Sequence, residues 1–137
     1  MTHINIASLE VGQEIGSREF HLTRDSLVKY AGASGDFNPI HYRDDIAKAV
    51  GLDGVLAHGM LTMALAGKYL SEISGSQNII DFSAKFIKPV VVPADVDVAL
   101  IVSGKVTEVV NGTAKIELLA MCNEIKVLGV AKGLVKL

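Results

Sequence analysis

The stretch Ser34–His41, SGDFNPIH, sets a carboxylate, an amide, a proline and an imidazole in one short polar segment. Asp36 and His41 are side chains that can both give and take a proton. Their reference pKa values, about 3.9 and 6.5, straddle the range useful for general acid–base chemistry. On one continuous helix, residues five positions apart would stand about 140° apart around the axis. Pro39 excludes that helix, because it has no N–H, fixes its own φ and pushes Asn38 toward an extended or turn conformation. The backbone must bend between the two groups. Such a bend can bring the Asp36 carboxylate and the His41 imidazole to one side of a cleft, where they share a water or a substrate proton. Gly35, Asp36, Asn38 and Pro39 are also ordinary turn formers. On spacing alone, the catalytic and the turn-forming readings stand level.

The surrounding pattern defines the elements that must hold this segment. Glu14 to Leu22 mixes Ile15, Phe20 and Leu22 with polar residues and reads as a first strand. Thr23 then caps a helix from Arg24 to about Ala33, with Asp25 in its first turn, and Gly32 and Gly35 mark its end. Its apolar side is Leu27, Val28, Tyr30 and Ala31. Asp44 to Val50 reads as a short helix closed by Gly51. From Gly59 to about Ile73 apolar residues lie on every side, which predicts a buried core helix. Strands follow over Ile79–Lys88, Asp95–Val110, Thr113–Met121 and Ile125–Val135, with turns at Asn111–Gly112 and Asn123–Glu124. This order predicts an α+β fold, an antiparallel sheet curled around one long buried helix.

With 137 residues the chain fits a single domain, residues 1–137, with no room for a separate cofactor-binding unit. Half the residues are hydrophobic and the mean hydropathy is +0.39, so some apolar surface is expected to be buried against a partner subunit. The net charge of −2 and pI near 6.0 offer no basic field for nucleic acid or an anionic membrane. No apolar run reaches the roughly 18 residues that span a bilayer, and the N-terminus lacks a signal-peptide pattern. A cytoplasmic protein is expected. Cys122 is the only cysteine and reads as a small apolar strand residue. Neither a phosphate loop nor a GxSxG elbow at Ser34 is present. No pair among His3, His21, His41 and His58 has metal-ligand spacing. Asp36, His41 and His58 could share an ion only if tertiary structure brought them together, and no metal is expected. His58, beside the core helix, reads as a hydrogen-bonded structural residue.

SGDFNPIH, followed by AHGM at Ala57–Met60, resembles the signature of the MaoC-like, (R)-specific enoyl-thioester hydratase/dehydratase family. KFIKPVVVPADV, Lys85–Val96, resembles the family's strand after the central helix. Within the family the chain is most similar to the actinobacterial catalytic subunit of (3R)-hydroxyacyl-ACP dehydratase. The resemblance implies a hot-dog fold and a lyase without metal or redox cofactor. Its substrate would be an acyl thioester on coenzyme A or acyl carrier protein. It also implies a homodimer, or a heterodimer with a related hot-dog subunit, with active sites near the interface.

Dehydrating a 3-hydroxyacyl thioester needs a base for the α-proton, an acid for the departing hydroxyl, and fixed donors for the charge that develops on the thioester oxygen. His41 is assigned to the carbon-bound proton and Asp36 to the hydroxyl or water. A poorly solvated cleft would raise the Asp36 pKa. Gly59, at the start of the core helix, is assigned as the backbone oxyanion donor, the role of the family's HG glycine. Asn38 is expected to brace the loop. Arg43 departs from the acidic or amide residue of many relatives and reads as a solvated side chain, with a carrier phosphate as the alternative contact. The rival functions are a non-catalytic acyl-thioester-binding subunit and a hot-dog thioesterase.

Overall fold

The computed structural model describes residues 4–137; His3 lies outside the described residues. In chain order the elements are β1 (Glu14–Leu22), α1 (Arg24–Ser34), a 3-10 turn at Pro39–His41, α2 (Asp44–Ala49), α3 (Gly59–Ser74) and β2 (Ile79–Phe86). They continue with β3 (Val98–Val110), β4 (Thr113–Cys122), β5 (Ile125–Lys126) and β6 (Leu128–Lys136). The strands form one antiparallel sheet in the order β1-β3-β4-β6-β2, with β5 added to β4.

Alternation builds the inner face of this sheet. Val98, Leu100, Val102 and Val106 of β3 and Ala114, Ile116, Leu118 and Ala120 of β4 all point into the core. Two tight turns set the register. Asn111 and Gly112 both have positive φ, 52° and 74°, and so do Asn123 and Glu124, 50° and 63°; this is the backbone twist that two-residue hairpins require. Thr113 is thereby paired with Val110, and Ile125 with Cys122.

One stripe of α3 lies against that face. Thr62, Ala66, Tyr69, Leu70 and Ile73 are buried, spaced three and four apart as a helix facing a sheet must be. The Tyr69 hydroxyl donates to the Gly16 carbonyl at 2.8 Å, and burial pushes its pKa up to about 12. Leu70 fills the space that a side chain at position 133 would occupy, since a Cβ on Gly133 would overlap its methyl groups. Gly133→Ala should therefore destabilise the fold by about 1–3 kcal/mol through overpacking. Gly32→Ala, on an open face of α1, should be neutral or slightly stabilising. Denaturant midpoints of the two variants check this pair.

The elements expected from the sequence are present, with four differences. Gly32 lies inside α1, which ends instead at Gly35, in the left-handed region at φ 78°. The segment 87–97 carries Pro89 and Pro93 and is largely irregular, so β2 stops at Phe86 and β3 starts at Val98. The last strand is broken at Val127, whose N–H turns to the Ala120 carbonyl and separates β5 from β6. Finally, α3 is not buried all round. Met60 is 56% exposed because the sheet of one chain covers only one side of the helix.

Candidate active site

The turn after α1 is held by its own side chains. The Asp36 N–H donates to Ser34 Oγ at 3.1 Å, the Asn38 N–H to Asp36 Oδ1 at 3.2 Å, and the Ile40 N–H to Asn38 Oδ1 at 3.2 Å. Asn38 thus braces the loop, and Pro39 opens the 3-10 turn that carries His41. His41 is buried, and its Nδ1 lies 2.8 Å from the Leu56 carbonyl. A carbonyl only accepts, so Nδ1 carries a proton and donates it, which leaves Nε2 as the nitrogen that can exchange a proton. That nitrogen stands 3.8 Å from Asp36 Oδ2. The separation is too long for a direct hydrogen bond and suits a proton relayed through a group placed between them. The two sequence readings are therefore compatible: Oδ1 of Asp36 builds the turn, and Oδ2 faces the imidazole. The poorly solvated cleft expected around Asp36 is not supplied by this chain alone, since its side chain is 52% exposed.

His58 closes the other side of His41. The two rings are stacked, with centroids 3.8 Å apart and planes 20° apart, and the ring of Tyr30 meets His58 edge-on at 4.8 Å. His58 Nε2 lies 3.1 Å from the Asp36 carbonyl, to which it must donate. Burial pushes the His58 imidazole below its ordinary pKa, against the pull of that carbonyl, and His41 lowers it further. The expected structural histidine thus supports the Ser34–His41 loop directly, a role the sequence showed only as its place in AHGM.

Tertiary structure does bring Asp36, His41 and His58 together, each offering a ligand atom within 4.8 Å of the others. A metal bonds imidazole nitrogen in the plane of the ring. With the rings stacked, an ion in the plane of one stands off the plane of the other, and the arrangement favours proton transfer over coordination.

Gly59 is the first residue of α3, and the His58 side chain does not cap the helix. The first N–H groups of a helix have no partner within it. Gly59 lines a cleft of about 360 Å³ together with His41, Leu56, Thr62, Phe86 and Pro89. A Cβ on Gly59 would lie 3.3 Å from the Phe86 ring, so glycine keeps this amide approachable. Asp36 is not part of the lining and meets the cleft through His41.

A second set of contacts fixes the loop from below. Arg24, on α1, holds both carboxylate oxygens of Asp44 on α2, at 2.9 and 3.0 Å, and donates from Nε to the Val92 carbonyl. Asp44 Oδ1 also accepts the Val55 N–H at 3.1 Å. No sequence motif marked Arg24 or Asp44 for this, because their partners lie far along the chain. The Arg24 guanidinium, and then the Val55 N–H, hold the Asp44 carboxyl below its ordinary pKa. A depressed folded pKa contributes stability above the unfolded value, and that stability is lost as pH falls through the folded value. The thermal midpoint should therefore drop from about pH 5 downward, and Asp44→Asn should flatten that fall. Thermal melts across the acid range check it. Arg43, the residue before α2, is exposed and paired with Asp45 in the first turn of that helix, at 2.6 Å, as a solvated side chain would be. Cys122 is buried on β4.

The fold has counterparts among known proteins. Residues 7–120 match the model of the MaoC like domain, and the chain belongs to that family of hydratases and dehydratases. The 3-hydroxyacyl-thioester dehydratase X of Mycobacterium tuberculosis is 38% identical over 74 residues, which are 53% of this chain and 25% of that protein. A solved MaoC-like dehydratase superposes with a TM-score of 0.91 at 33% identity, covering 94% of this chain and 41% of the other. The (R)-hydratase from A. caviae involved in PHA biosynthesis has the same fold, with a TM-score of 0.80 at 23% identity, covering 95% of this chain and 98% of the other. The chain thus spans a quarter of the mycobacterial relative and under half of the first solved chain. Among the described residues, no helix is long and apolar enough to cross a membrane.

Proposed function

We propose that this chain reversibly hydrates trans-2-enoyl thioesters to (R)-3-hydroxyacyl thioesters, carried on coenzyme A or acyl carrier protein, in fatty-acid metabolism. The observation that carries the reading is the 3.8 Å gap between Asp36 Oδ2 and His41 Nε2, with His41 and Gly59 lining one cleft. In hydration, water adds to C3 and gives its proton to Asp36, while protonated His41 delivers a proton to C2. The Gly59 N–H holds the enolate-like oxygen between these events. Asp36 then returns a proton to His41 and the pair is reset. No metal or redox step is needed.

A related hot-dog subunit, a second copy or a homologue, completes the site. The support is the apolar surface left open around it, with Phe37 61%, Met60 56% and Phe86 55% exposed, and β2 at the edge of the sheet. Covering this surface would also shield the Asp36 side chain, 52% exposed in one chain, from solvent. Cytoplasmic placement and a single domain over residues 1–137 belong to the same reading. A purified sample given crotonyl-CoA separates the alternatives. Loss of the conjugated-enoyl absorbance supports hydration, release of free thiol would make the protein a thioesterase, and neither would leave an acyl-thioester-binding subunit.

A further inference from the structure

We propose that His58 is a positioning residue for the acid–base pair, holding the Asp36 backbone and the His41 ring in mutual register. This rests on the reading of Asp36 and His41 as proton donor and acceptor. Three contacts converge on one buried ring, 1% exposed. Its Nε2–H bonds the Asp36 carbonyl, one face lies against His41, and Tyr30 presses on it edge-on. Asp36 and His41 sit on either side of Pro39 and share no direct hydrogen bond; the turn's own hydrogen bonds hold the Asp36 end and the Leu56 carbonyl holds the His41 ring, each from one side. His58 touches both.

The remaining ring nitrogen shows that packing alone does not account for the residue. His58 Nδ1 is buried and has no hydrogen-bond partner. With Nε2 carrying the proton, Nδ1 is a stranded acceptor, which is destabilising in a protein interior. A phenyl ring would stack as well without that defect. What it would lack is the N–H at the far edge that reaches the Asp36 carbonyl. The fold thus keeps a cost in stability at the place where the two reacting side chains are aligned.

Two variants test this, His58→Phe and His58→Gln. Phenylalanine keeps the flat face and removes both the donor and the stranded acceptor; glutamine loses the ring and keeps an N–H donor. His58→Phe should melt no lower than the wild type, yet lose at least about tenfold in kcat with KM within about threefold, as misaligned reacting groups do. His58→Gln should recover most of that kcat. NMR signals of the His41 side chain, read without turnover, should be displaced in His58→Phe and return toward the wild type in His58→Gln. Unchanged kcat and His41 signals in His58→Phe would overturn the proposal, as would parallel losses of activity and melting temperature in both variants. If the wild type has no hydratase activity, the acid–base reading fails, and the His41 signals still decide the positioning role.

Discussion

Asp36→Asn should lower kcat at least about 100-fold, with KM little changed and the fold intact. The substitution is unusually clean here because the two carboxylate oxygens have different tasks. The amide oxygen of asparagine can still accept the Asn38 N–H that Oδ1 accepts now, so the turn is preserved. At the Oδ2 position, facing His41, an amide can neither take the proton of the attacking water nor protonate a departing hydroxyl. A hundredfold loss corresponds to about 2.7 kcal/mol of transition-state stabilisation. Steady-state kinetics on crotonyl-CoA, beside a thermal melt, measure both halves. Retained activity would remove Asp36 from the chemistry.

His41→Gln should cost at least as much, again in kcat. The glutamine amide can reach toward the Leu56 carbonyl that orients the imidazole, but it cannot accept the proton from C2 or return it. His41 is also 8% exposed and stacked on His58, so its replacement carries a packing change that Asp36→Asn does not. The melting temperature must be measured with the rate. A large loss in kcat with a small change in melting temperature assigns the effect to proton transfer. Hydrogen–deuterium exchange at C2 of a saturated acyl thioester gives an independent readout of the same step and should vanish in this variant.

Much of this fold was legible because short-range rules decide it. Thr23 was expected as a cap, and it forms a capping box with Ser26. The Asn111–Gly112 and Asn123–Glu124 turns and the alternation of β3 were readable residue by residue. What local pattern could not reveal was anything decided by a distant surface. The apolar circumference of α3 predicted complete burial, whereas one chain covers only the stripe from Thr62 to Ile73. The Arg24–Asp44 clamp joins residues with no shared motif. At the site, Pro39 announced the bend and the residue types announced the chemistry, but the division of labour between the two Asp36 oxygens needed coordinates. So did the stacking of His58 on His41, since nothing in their spacing places one ring on the other.

Acid–base groups that serve a single step as a unit do not contribute independently, so their replacements do not multiply. The direct measurement is kcat for Asp36→Asn, His41→Gln and the double variant on the same enoyl thioester. The double variant should be no slower than the worse single variant by more than about threefold. Losses that multiply, with the double variant falling about 10⁴-fold, would mean the two side chains act separately, and the shared proton path between them would be wrong.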